Sequence, residues 1–162
     1  MSIYIINTLV VIATFIFMEG VAWFSHKYIM HGSLWNLHED HHYKGEGQFF
    51  EKNDSFFLIF ATPSASTFIY GSIVGLDKPF FYIGVGIALY GIAYFLIHDV
   101  FIHQRFKWLR NANSAYFRAI RRAHKVHHKH LGKEDGECFG MLWVPLKYYK
   151  EAQRDIQRQK AA

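Results

Sequence analysis

The chain has 162 residues, enough for one domain; 51 % of them are apolar, 19 % are aromatic, and the net charge is +5. Its single cysteine, Cys138, excludes an internal disulfide and any cysteine-built zinc or iron–sulfur site. The basic balance would suit nucleic acid, but the apolar residues gather into three long uncharged stretches, which point to a membrane rather than a soluble core.

The first stretch runs from about 3 to 24, broken only by Glu19. No Lys or Arg precedes it and no small-residue cleavage pattern closes it, so it reads as a retained span rather than a signal peptide. Glu19 near its end is either an outer partner of groups just beyond the membrane or a carboxylate at headgroup depth. Residues 25–54 mix helix formers and histidines, and Gly45–Gly47 is expected to break any helix there. The second span, about 55–76, starts after Asn53 and Asp54 and contains Pro63; the third, about 79–97, follows a short turn. The pair is expected to form an antiparallel hairpin, with Gly71, Gly75, Gly84, Gly86 and Gly91 permitting close approach.

The third span has no stop signal before His103, so His98 and His103 should ride on its extension. From Gln104 the chain is basic, and RRAHKVHHKH reads as a helix at the membrane surface. Residues 138–149 are too short to span and contain Pro145; they are expected to lie in the interface with Trp143, Tyr148 and Tyr149 as anchors, followed by a solvated tail. With three spans, all of the 18 Lys and Arg except Lys78 fall on one side. The positive-inside rule then puts the N-terminus outside and the C-terminus in the cytoplasm. The expected fold is therefore a single all-α integral membrane domain with three to four membrane-embedded helices.

Ten of the eleven histidines fall in four groups, all on that cytoplasmic side, within 26–42, 98–103 and 124–128. In order they read HxxxxH (His26, His31), HxxHH (His38, His41, His42), HxxxxH (His98, His103) and HxxHH (His124, His127, His128). On a helix turning about 100° per residue, the second and third histidines of HxxHH lie within about 60° of the first, so one face presents three imidazoles. Residues five apart diverge by about 140°, so HxxxxH needs a helix end, a π-bulge or separate metals. Neutral imidazole suits iron, zinc and copper, and ten of them exceed what one ion takes. Two metals are the economical reading. Glu39, Asp40 and Asp99 stand beside these histidines and are candidates to orient them through the other ring nitrogen, with Asp40 equally suited to face water. His130 is left as a surface residue.

These four boxes, their order, the small size, and the text HEDHH, FIHQRF and RRAHKVHHKH resemble the histidine-rich membrane di-iron hydroxylases and desaturases of the fatty acid hydroxylase superfamily. The likeness is strongest to its bacterial carotenoid-ring branch. That resemblance implies that His26, His31, His38, His41, His42, His98, His103, His124, His127 and His128 ligate two irons in the bacterial cytoplasmic membrane. It further implies that O2 is the co-substrate and that C3 of a β-ionone ring is hydroxylated, with electrons from ferredoxin and its reductase. β-Carotene would pass through β-cryptoxanthin to zeaxanthin, and canthaxanthin to astaxanthin. Arg105, Lys107, Arg121 and Arg122 are then either a docking surface for acidic ferredoxin or contacts for anionic lipid. Two alternatives remain: the same chemistry on a fatty-acyl, sphingolipid or sterol substrate, and a non-catalytic metal-binding or transport protein. Transport fits less well, because its ligands should sit near mid-membrane.

Overall fold

The computed structural model describes residues 2–43 and 49–161; the expected break at Gly45–Gly47 lies outside them. The protein is 74 % helical, with no strand among the described residues. Helix α1 (Ile3–Phe24) passes without a turn into a π-helical segment (Ser25–Ser33), and α2 (Trp35–His42) follows at a kink on Gly32. A short 3₁₀ turn (Lys52–Asp54) leads into α3 (Ser55–Val74). Helix α4 (Phe80–Phe95) likewise runs on as a π-helical segment (Leu96–Ile102). Two polar helices, α5 (Ala115–His127) and α6 (Leu146–Ala161), complete the chain.

Three helices are long and apolar enough to cross a bilayer: Ile3–Ser33, Lys52–Val74 and Phe80–Ile102. Only 17 %, 6 % and 17 % of their most apolar windows is buried, so their large side chains, such as Ile16, Phe17, Phe57, Ile73 and Ile92, point outward. Water would make that arrangement untenable; lipid is its natural solvent. The chain is a membrane protein.

Helix α4 is central, packing on α1 and on α3. Small residues set its distance from both neighbours. A Cβ on Gly71 would lie 2.1 Å from the Phe81 backbone nitrogen, one on Gly84 2.7 Å from that of Phe68, and one on Gly86 2.6 Å from Thr14 Cβ. Two of the five expected contact glycines act otherwise. Gly91 faces open space, and Gly75 ends α3 in the left-handed region at φ 114°. Gly71→Val is expected to force α3 off α4 and to cost about 1–3 kcal/mol, the range for overpacking; thermal unfolding in detergent measures it.

Ala119, Ala123, Tyr148 and Ala152 form the seam between α5 and α6. Ser114 starts α5 by accepting from the Phe117 N–H. The last residues are helical, with Ala152 buried and most of the others exposed, and Arg122 fastens them by donating to Glu151 and Asp155. Tyr148 is not an interfacial anchor, since only 4 % of it is exposed. Trp143 remains open.

Candidate metal centre

The extensions of α1 and α4 converge with α2 and α5 beneath the spans, and ten imidazoles meet there. The π-helical segments explain how HxxxxH works. A backbone bond closing over five residues stacks i on i+5, and the His103 N–H donates to the His98 carbonyl at 2.9 Å. In the first segment the Leu34 N–H reaches Ile29 in the same way, at 2.8 Å. Both histidines of each HxxxxH therefore enter one cluster.

The HxxHH boxes divide. His26, His31, His38 and His127 bring one ring nitrogen each to within 4.8 Å of one another, and His41, His98, His103 and His124 do the same. His42 Nε2 joins the first group, 3.2 Å from His38 Nε2, and His128 Nε2 joins the second, 2.8 Å from His124 Nε2. In each box the outer pair, four apart, stays together, while the residue at i+3 crosses to the other cluster. About 100° separates i+3 from i+4 on a helix, so the three imidazoles straddle two clusters instead of sharing one face. The stacked rings of His42 and His128, 4.7 Å apart, mark the boundary.

The outward nitrogens explain the inward ones. His26 Nδ1–H donates to the Phe139 carbonyl (3.0 Å), His31 to Lys133 (3.0 Å), His42 to His130 (3.0 Å) and His127 to Glu137 (2.9 Å). His38 donates to Asn53 Oδ1 (2.7 Å), His41 to Glu51 Oε2 (2.7 Å) and His98 to Asp99 Oδ2 (3.1 Å). A carbonyl or carboxylate only accepts, so Nδ1 carries the proton and Nε2 keeps a lone pair. Nε2 atoms then face one another at 3.0–3.2 Å across His26–His38, His31–His127 and His41–His98. Two lone pairs at that distance repel unless a cation lies among them. The donor set fits a metal ion with imidazole preference and offers no thiolate.

Electrostatics agree. Burial, helped by neighbouring imidazoles, pushes His38 and His127 down to about 2, His128 to about 3 and His42 to about 4, and holds His41 and His124 well below the usual range. These six imidazoles are neutral at neutral pH, so none of them would have to lose a proton if a metal bound. In the metal-free protein the unfolded chain, with histidine near ~6.5, binds more protons than the folded one below that pH. Stability is therefore full above about pH 6.5 and lost as pH falls toward about 4 and about 3, where His42 and His128 titrate. Metal-free protein is expected to melt at lower temperature at pH 5 than at pH 7.5.

The carboxylates beside the histidines have separate fates. Asp99 Oδ2 accepts from His98 Nδ1–H. Glu39 is exposed, and Asp40 accepts from the Lys52 N–H rather than from an imidazole. Glu19 lies against the chain at 140–143, not against an imidazole. Glu51 and Asn53, which do hold imidazoles, are not singled out by the sequence reading. Asn53 there is only a helix starter, and Glu51 stands nine residues after His42 with nothing local to link them. His130 keeps its side chain out of both clusters but lends its carbonyl to His42. Of the four cations given a docking role, Arg105 turns inward: it donates to Asp54 (2.7 Å) and Asp99 (2.9 Å) and lies 3.7 Å from Glu51. Its charge is spent inside the fold, where Asp54 and the other carboxylates raise its pKa against burial.

Apolar helices carrying two all-imidazole clusters at one end define a membrane protein with two sites that could hold metal. The chain belongs to the fatty acid hydroxylase family, whose profile matches residues 11–146. It is 40 % identical over 142 residues to a beta-carotene hydroxylase of Pseudescherichia vulneris, covering 86 % of this chain and 78 % of that protein. A beta-carotene hydroxylase of Paracoccus sp. (strain N81106 / MBIC 01143) is 35 % identical over 140 residues, 86 % of this chain and 85 % of that one. The chloroplastic beta-carotene 3-hydroxylase 2 of Arabidopsis thaliana is 38 % identical over 130 residues, 79 % of this chain and 42 % of that longer protein. No solved structure matches the chain. The family and these relatives make the protein an oxidising enzyme.

Proposed function

We propose that this protein hydroxylates C3 of carotenoid β-rings, converting β-carotene through β-cryptoxanthin to zeaxanthin and accepting canthaxanthin to give astaxanthin. The observation that carries this is that similarity to bacterial relatives named beta-carotene hydroxylase covers at least 85 % of this chain, in a family match that spans all ten clustered imidazoles; the ring position comes from the name of the chloroplastic 3-hydroxylase. The ten histidines would hold two irons. When bound, those irons would supply activation of O2, one oxygen atom going to the ring carbon and the other leaving as water with two electrons and two protons.

The chain's own groups prepare that chemistry. Seven Nδ1–H donors fix imidazole orientation, and an apolar shell keeps water out. The Phe139 ring packs on His26, His31 and His127 at 5.2–5.4 Å, and Trp35 on His31 and His42 at 5.1 and 5.3 Å. A cleft of about 300 Å³ lined by Trp23, Phe139, Trp143 and Pro145 opens beside that shell. It is a natural approach for an apolar ring coming from lipid. The side distribution of Lys and Arg supports an N-terminus outside a bacterial cytoplasmic membrane, with the clusters on the cytoplasmic side.

Electrons come from ferredoxin and its reductase. Between α5 and α6 lies a groove of about 590 Å³ whose walls include Arg118, Arg121, Arg122, Lys125 and Arg158 against one carboxylate, Asp155. An acidic carrier fits it better than it fits the inward Arg105. Arg121 also stacks on fully buried Phe101, 4.2 Å from its ring, between His98 and His103 in sequence. Lys125→Glu with Arg158→Glu is expected to lower ferredoxin-supported turnover at low salt by about tenfold or more, the scale of electrostatic steering, with metal content unchanged. An unaltered rate, or a loss that follows anionic lipid instead of ferredoxin, would remove the groove from electron delivery.

The deciding experiment is pigment chromatography of β-carotene-accumulating cells with and without the chain. β-Cryptoxanthin and zeaxanthin are expected, and both should vanish with His127→Ala. No new carotenoid from inserted, metal-loaded protein with active ferredoxin would shift the substrate to a fatty-acyl, sphingolipid or sterol lipid.

A further inference from the structure

The two clusters are supported differently. Four of the five first-cluster imidazoles donate their Nδ1–H to backbone carbonyls within one irregular strap, at His130, Lys133, Glu137 and Phe139. In the second cluster, His41 and His98 lean on the side chains of Glu51 and Asp99, which do not belong to the strap. First-cluster geometry is therefore only as firm as the strap.

The far end of the strap is tied to the first span. Glu19 Oε1 accepts from the backbone N–H groups of Met141 (2.9 Å), Leu142 (3.0 Å) and Trp143 (2.9 Å), and Oε2 accepts from the Tyr90 hydroxyl (2.6 Å). The Leu142 N–H is shared with Oε2 at 3.1 Å, so four donors are spread over the roughly four lone-pair positions of the carboxylate. The junction is close because residue 140 has no side chain: a Cβ there would lie 3.1 Å from Glu19 Oε1 and 2.9 Å from the Trp143 carbonyl. Cys138, flanked by the accepting carbonyls of Glu137 and Phe139, sits in the left-handed region at φ 63°. A non-glycine residue stays there only where its surroundings hold it. Tyr116, donating to the Leu142 carbonyl at 2.8 Å, and Lys147 and Tyr148, donating to Glu137, give the strap further fixings on the polar side.

We propose that Glu19 is a positioning residue for the first metal centre alone, acting from within the membrane helix by pinning the strap whose carbonyls aim four imidazoles. This rests on the reading that the clusters ligate metal, not on which lipid is the substrate. It also accounts for an ionisable group in an otherwise uncharged span.

Full-length protein in detergent, stripped and titrated with Co(II), should load in two spectroscopically separable steps, and His26→Ala identifies the first-cluster step by abolishing it. In Glu19→Gln that step is expected to weaken by about 10–100-fold, the scale for loss of a supporting partner, while the other step is unchanged. The amide keeps the shape and one accepting oxygen, but it loses the negative charge that strengthens these hydrogen bonds and puts an NH2 where Oε2 accepts from Tyr90 and Leu142; it also enters the membrane more readily than a carboxylate. Gly140→Ala, which disturbs the same junction from the strap side, should weaken the same step. Two unchanged steps in both variants would overturn the proposal. Equal weakening of both steps would also overturn it, assigning Glu19 to general folding. If the wild-type protein takes up no metal, the metal reading falls, and this one with it.

Discussion

His124→Ala and His127→Ala, three residues apart on one helix, are expected to empty different centres. Each should lower turnover by more than about 100-fold, beyond the usual cost of losing an outer-shell partner, because on the proposed reading each takes a nitrogen from the set that would hold a metal. His127 Nε2 lies 3.2 Å from His31 Nε2, whereas His124 Nε2 lies 2.8 Å from both His103 and His128 Nε2. Co(II) titration of His127→Ala should therefore lose the same step as His26→Ala, and that of His124→Ala the same step as His98→Ala. The i+3 residue of the other box gives the reciprocal test, since His41→Ala should group with His98→Ala and not with His38→Ala. His130→Ala should retain both steps and activity, because only its backbone carbonyl is used. If all variants within one HxxHH box erased the same step, the crossed arrangement would be wrong.

The second large effect is expected at Arg105. One guanidinium serves Asp54, Asp99 and Glu51, and the last two hold His98 and His41. Burial already raises the Glu51 pKa, and Arg105 is the leading influence that opposes it. Arg105→Met removes that opposition and leaves three clustered carboxylates without their cation. The cost of breaking a buried pair by removing one partner is about 3–5 kcal/mol; with 16–31 % of these side chains exposed, the lower end applies. A Glu51 that takes up a proton becomes a donor and no longer fixes the His41 tautomer. Weaker second-centre metal binding and a lower melting temperature are expected, largely recovered by Arg105→Lys at low salt. Unchanged metal affinity would separate Arg105 from the centre.

The sequence exposes the spans and the imidazoles because both are written locally: about 20 apolar residues in a row, and ligands three, four or five apart. What surrounds the imidazoles is not local. The carbonyls of Lys133, Glu137 and Phe139 act through the backbone, so their side chains carry no trace of the task. Glu51 meets Arg105 only after α3 and α4 have folded back, and Arg105 read alone looks like any surface cation near a membrane. Helix α6 is hidden for a related reason. Its composition is that of a solvated segment, and only two buried residues, Tyr148 and Ala152, dock it on α5. Within HxxHH the spacing shows that three imidazoles are near one another; whether they share one metal depends on a partner helix far along the chain.

The crossing of His41 and His127 has a consequence for how the molecule is made. The first half of the chain supplies four nitrogens of one centre and a single nitrogen of the other, and the second half returns the exchange. No ribosome-bound fragment ending before α5 can complete either centre, however well its spans have inserted. Full coordination becomes attainable only when the last box has left the exit tunnel and docked, so no nascent chain short of that point can be armed for oxidation. Two halves cut in the turn between α3 and α4 should accordingly regain both centres only as a pair.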